Sequence, residues 1–174
     1  KMSHEDHCRR CKQIHINWKG VSETALIDAV LLSNDTLGSL LPFEAGKIVS
    51  LLLTRAEPAS VGISPIGGFL LPCNSTDDFA VFAQCGNEGR RITFPISPGL
   101  YNSINVIEVE KVALGKPVTM TGPGILAFDG DRTIELAEGE AANLEVIRDG
   151  PWVIDTVELM NSAAHLGILV SSEP

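Results

Sequence analysis

The chain has 174 residues, 44% of them hydrophobic, with 22 acidic and 13 basic side chains giving a formal net charge of −9. Length and apolar content suffice for one domain with a substantial core, while the acidic balance argues against a general nucleic-acid binder, which needs a basic face to displace counterions. Apolar runs such as Ile48–Leu53 are too short to span a bilayer and no secretory h-region follows the polar start, so a soluble cytoplasmic protein is expected, its four cysteines free thiols.

In chain order, residues 1–16 read as a polar amino-terminal segment and 17–174 as a single β domain. The first segment is rich in His and Cys. On a helix, His4, Cys8, Cys11 and His15 would share one face, and imidazole and thiolate ligands at that spacing suit zinc. A single C-x-x-C pair is weak evidence, and a polar helix or frayed end explains the same residues.

From Ala25 onward the chain reads as strand after strand. Ala25–Leu32, Ile48–Leu53, Ala59–Ile63, Phe79–Gln84, Arg91–Phe94 and Ile104–Val112 come first. Ile125–Phe128, Thr133–Leu136, Leu144–Arg148 and Trp152–Thr156 follow, with Gly and Pro between them at short intervals. Many short strands with regular turn signals predict two stacked sheets or a barrel. A turn of helix is expected at Phe43–Val49. The spacing of Val157, Met160 and Ala164 predicts a carboxy-terminal helix over Thr156–Leu166, capped by Asp155 or Thr156 and stopped by Gly167.

Several positions carry possible chemistry. Asp28 interrupts an apolar strand, where strand alternation would group it with Leu26 and Val30, and an unpaired buried carboxylate is costly. Ile63-Ser-Pro-Ile-Gly-Gly-Phe69 reads as a loop whose Gly67 and Gly68 amides would be open to a ligand; it is neither a Walker loop nor a dinucleotide fingerprint. Asp129-Gly130-Asp131-Arg132, between two strand-like runs, reads as a hairpin turn chosen for positive φ, or as a tip presenting a carboxylate and a guanidinium. For nucleophilic catalysis the signs are thin: His165, Cys73 and Cys85 read as a helix-end histidine and core thiols.

Taken together, Ala25-Leu-Ile-Asp-Ala-Val, Arg55-Ala-Glu-Pro-Ala-Ser-Val-Gly-Ile-Ser-Pro-Ile-Gly-Gly68, Pro95-Ile-Ser-Pro-Gly99, Ala127-Phe-Asp-Gly-Asp-Arg132 and Gly150-Pro-Trp-Val-Ile-Asp155 resemble, in order and spacing, the carboxy-terminal half of the ATP-NAD kinase superfamily, nearest its acetoin-catabolism-protein-X-like branch. The resemblance implies a domain of stacked β-sheets whose last segment returns toward an amino-terminal α/β domain. It also implies a contribution to a dinucleotide site and an oligomer interface. Ile27-Asp28 stands where the kinases have Asn-Glu, keeping only the acid, and Ser64-Pro-Ile-Gly-Gly68 loosely replaces a Thr-Pro-Thr-Gly-Ser loop, losing hydroxyls. The Gly-Gly-Asp-Gly motif of the kinases' first domain has no counterpart, so an active NAD kinase is not expected from this chain alone.

The leading expectation is a non-catalytic β domain binding NAD, NADP or a related phosphate ligand through Asp28, Ser64, Gly67, Gly68, Asp129 and Arg132. The alternatives are half of a kinase-type enzyme, using ATP and magnesium only with an α/β partner, and a structural or oligomerisation module with zinc at the amino-terminal cluster. A homo-oligomer is expected; nucleic-acid and membrane partners are not.

Overall fold

The structure, a computed structural model, describes residues 7–33, 45–168 and 170. Among them are thirteen strands and two α-helices. In chain order these are β1 (Cys8–Arg10), β2 (Gln13–Trp18), β3 (Val21–Ala25), β4 (Asp28–Leu32), β5 (Ile48–Leu53), α1 (Ser64–Gly68), β6 (Phe79–Gly86), β7 (Arg90–Ser97) and β8 (Leu100–Ala113). They continue with β9 (Pro117–Thr121), β10 (Gly124–Phe128), β11 (Arg132–Leu136), β12 (Ala141–Ile147), β13 (Trp152–Ile154) and α2 (Thr156–His165).

The strands form a seven-stranded sheet in the order β11-β10-β4-β5-β6-β8-β7, a four-stranded sheet β3-β2-β12-β9 and a two-stranded ribbon β1-β13. Every pairing is antiparallel. The expected fold class, mainly β with stacked sheets and a carboxy-terminal helix, is what the chain adopts.

Period-two burial explains how the sheets stack. Ile14 and Ile16 of β2, Val118 and Met120 of β9, and Ala142, Leu144 and Val146 of β12 all point to one side. They meet Ala29, Leu31, Leu52, Ala80, Phe82, Leu126 and Phe128 from the seven-stranded sheet in one core. The other face of that sheet is also covered. Val30, Leu51, Leu53, Val81, Ala83 and Cys85 pack there with Ile66 of α1, Ala56 and Cys73. A strand buried on both faces has no polar side to show, hence the apolar run Leu51–Leu53 in β5.

Three expectations need correcting. Ala25–Leu32 is two strands rather than one: Leu26 and Ile27 form a corner at which the chain passes from the four-stranded to the seven-stranded sheet. Ala59–Ile63 is a series of turns and bends, not a strand, and leads into α1. The boundary expected after residue 16 falls inside β2, whose Ile14 and Ile16 are fully buried, so this part of the amino-terminal segment belongs to the domain.

The helix at Phe43–Val49 is a single 3-10 turn over Ala45–Lys47, with Phe43 outside the described residues. The terminal helix matches its prediction. Asp155 caps it, accepting from the Glu158 N–H at 3.0 Å, and Gly167 ends it at φ +66°.

Candidate functional site

The hairpin tip is built into the fold. β10 and β11 are joined by residues 129–131, and Asp129 and Gly130 have φ of +51° and +78°. That geometry turns the Asp129 carboxylate back onto the β3–β4 corner, where it accepts from the Leu26 and Ile27 N–H groups, each at 2.9 Å. Arg132 pairs with the same carboxylate at 3.0 Å, reaches Glu23 at 3.4 Å and lies over the Phe128 ring. Both residues are thus engaged in holding the corner where the chain changes sheets. Asp28 sits beside them at the start of β4. Burial, and after it the Asp129 charge, raise its pKa to about 6 against the opposing hydrogen bond from the Asp129 backbone.

Ser64, Gly67 and Gly68 do not form an open loop. They lie in α1, with Pro65 in its first turn, and all are buried. A Cβ on Gly68 would stand 2.8–3.0 Å from the backbone of Ala56, Glu57 and Pro58, so glycine is there for close packing and not for ligand access. The Ser64 hydroxyl donates to the Arg55 carbonyl at 3.1 Å and accepts from the Glu57 N–H at 2.8 Å. Its role in the structure is to fix the chain that follows β5.

The amino-terminal cluster is not helical. Cys8 lies on β1, Cys11 in the link to β2, and His15 on β2, where its Nε2 meets the Asp149 carboxylate at 3.0 Å. His4 is outside the described residues. Strand geometry destroys the shared helical face, and among the described residues no three His, Cys, Asp or Glu side chains are grouped as metal ligands.

A cavity of about 660 Å³ lies where the β1-β13 ribbon meets the corner of the two larger sheets. Arg9, Arg10, Lys12 and Arg55 line it, against Asp155 as the one acidic lining residue. In an acidic chain that is a strong local reversal of charge. The walls add the hydroxyl-bearing Thr54, Ser75, Thr76 and Thr156, with Leu26, Ile27, Val153 and Ile154 on the apolar side. Of the lining residues, Val153 and Ile154 are also exposed on the surface.

Three of the four cations have work inside the protein. Arg9 pairs with Asp155 at 2.6 Å, and Arg10 donates to the Asp149 carbonyl at 2.6 Å while lying over Trp152. Asp155 is held below the usual carboxylate range by the Glu158 N–H, with Arg9 adding to this. Lys12, only 3% exposed, donates to the Asn74 and Phe79 carbonyls at 3.0 and 2.8 Å and contacts Cys73 Sγ at 3.2 Å. Burial lowers its pKa, and the Cys73 thiol beside it opposes that effect.

Arg148 shapes the cavity from behind. Its guanidinium binds the Ser75 and Asp77 carbonyls at 3.0 and 2.9 Å, the Asp78 carboxylate at 2.9 Å and the Arg10 carbonyl at 3.3 Å. None of Asp28, Ser64, Gly67, Gly68, Asp129 and Arg132 lines this cavity; of the zinc candidates, Cys11 does. The cations that do come largely from Arg9-Arg10-Cys11-Lys12, where the cysteines drew attention from the charges.

The family described as the acetoin catabolism protein X carboxy-terminal domain matches residues 12–149. The chain is also similar to acetoin catabolism protein X of Cupriavidus necator, 29% identical over 121 residues. The match covers 67% of this chain and 33% of that protein, so the chain spans about a third of the length of its relative. With most of the stacked-sheet domain inside the matched range, the chain belongs to the acetoin catabolism protein X carboxy-terminal domain family.

Proposed function

We propose that this chain is a ligand-binding β domain that takes a nucleotide or a related phosphate-bearing small molecule in the cavity between the ribbon and the sheets, without catalysing a reaction by itself. The observation that carries this reading is the clustering of Arg9, Arg10, Lys12 and Arg55 around one cavity in a chain of net charge −9. Clustered guanidinium and ammonium groups recognise phosphate oxygens by charge-assisted hydrogen bonds. A volume of about 660 Å³ lies in the range of small-molecule sites. The apolar wall at Leu26, Ile27, Val153 and Ile154 suits a base or nicotinamide ring more than free phosphate. NAD and NADP, suggested by the kinase resemblance, have this mixed character.

Calorimetric titration of the purified chain with NAD, NADP and ATP tests the reading. Saturable binding of one of them is expected, and absence of heat at millimolar concentration would refute it.

A second reading is favoured by the surface beside the cavity. Trp152, Val153, Ile154, Val157, Met160 and Leu166 are all at least 47% exposed on β13, α2 and the turn after it. An apolar face of this kind commonly marks an interaction site. With the match covering 33% of the relative's length, the face suits docking of an α/β partner that would bring ATP and magnesium and complete a kinase-type site. The test is to mix the chain with an α/β domain carrying a Gly-Gly-Asp-Gly motif and assay ATP-dependent NAD phosphorylation. Failure of the pair to associate would count against this reading alone.

A further inference from the structure

We infer that Arg55 is the specificity-determining residue of the cavity, the guanidinium that grips the ligand's phosphate. This rests on the phosphate-ligand reading above and assigns the role within it to one side chain.

The argument starts from what each cation is already doing. Arg9 is committed to Asp155, Arg10 to the Asp149 carbonyl and the Trp152 ring, and Lys12 to two carbonyls and a thiol. Arg55 lines the same cavity, yet among the described residues its guanidinium has neither a hydrogen bond nor an ion pair. A half-buried guanidinium left unpaired beside three fully engaged cations is repelled by them and stabilised by no anion of the protein. A bound phosphate would supply the missing charge.

The backbone that carries Arg55 is held from both sides. Thr54 donates its N–H to the Ile27 carbonyl at 3.0 Å and its hydroxyl to the Leu26 carbonyl at 2.8 Å. On the other side Ala56 exchanges two backbone hydrogen bonds with Cys73, at 2.8 and 2.9 Å. Between them, the Ser64 hydroxyl donates to the carbonyl of Arg55 itself. The fixed backbone holds the root of the side chain in place, so that only its own rotamers need ordering when the ligand arrives. The planar fork of arginine then matches two phosphate oxygens at once.

The experiment measures binding of pyrophosphate, ATP and NADP to the wild-type chain and to the variants Arg55→Gln, Arg55→Lys and Arg91→Gln. Arg91 is an exposed cation outside the cavity and controls for bulk charge. Arg55→Gln is expected to weaken binding roughly 10- to 100-fold, the size of a lost charge-assisted pair. Arg55→Lys is expected to recover part of that loss, and Arg91→Gln to stay within about twofold of wild type. Tm should hold or rise slightly in Arg55→Gln, since no partner within the protein is lost and the repulsion from the neighbouring cations is relieved.

Tighter binding of ATP or NADP than of pyrophosphate identifies a nucleotide; equal binding identifies a free phosphate, and both are phosphates gripped by Arg55. Wild-type affinity in Arg55→Gln, or an equal loss in Arg91→Gln, overturns the inference and leaves the phosphate-ligand reading standing. No binding to the wild-type chain overturns the reading itself, and the inference with it.

Discussion

Replacing Asp28 with Asn should stabilise the protein, and by an amount that depends on pH. Asp28 enters β4 in a buried setting that raises its pKa to about 6, against 3.8 for the exposed group. An acid with a raised folded pKa binds its proton more tightly in the native state than in the unfolded chain. Native stability from this carboxyl is therefore full below pH 3.8 and is lost as pH rises from there through 6. The upper limit of the loss is about 3 kcal/mol, from two pKa units at ~1.4 kcal/mol each. Asn keeps the shape and never ionises. Urea denaturation of wild type and Asp28→Asn across pH 3 to 8 should show curves that coincide near pH 3. The variant should lead by ~1.6 kcal/mol at pH 5 and by up to ~3 kcal/mol above pH 7. Two pH profiles running parallel would refute the reasoning, because they would mean that the carboxyl titrates alike in both states.

Further substitutions probe the scaffold. Gly68→Ala should cost about 1–3 kcal/mol, because its methyl would press on the backbone of residues 56–58. Gly130→Ala, whose Cβ meets nothing within 4 Å, should cost only the ~1–2 kcal/mol of left-handed backbone; chemical denaturation separates the two. Lys12→Met should cost about 1–3 kcal/mol by removing the ammonium donor to the Asn74 and Phe79 carbonyls, which keep only the Asp77 N–H and the weak Cys73 thiol, read as a fall in the urea midpoint. Arg148→Gln should release residues 75–78 and weaken ligand binding with no cation of the cavity removed, seen as faster amide exchange there and a raised Kd.

The fold was legible because its strands obey period two and its turns carry their own chemistry. Asp129-Gly130 announced a hairpin, and Asp155 and Gly167 bracketed the last helix. Where an apolar run bends, the signal failed. Leu26 and Ile27 look like strand, and only the distant Asp129 carboxylate holds their N–H groups in a corner. Ser64–Gly68 misled for a related reason, since paired glycines mark close packing as readily as ligand access, and only the neighbouring chain decides which. The cavity was not legible at all. Arg9, Arg10 and Lys12 lie together but Arg55 lies far from them in sequence, and nothing local to either stretch says that they face one space.

The β1-β13 ribbon joins the two extremities of the described chain, Cys8 opposite Ile154 and Arg10 opposite Trp152. During synthesis, therefore, the basic hollow lacks its β13 wall until the residues after 151 have left the ribosome, after the strands of both larger sheets have emerged. An expression boundary drawn at 12 and 149, where the family match begins and ends, would remove both strands of the ribbon together with Arg9 and Arg10. Such a trimmed protein would keep its two main sheets and lose its receptacle.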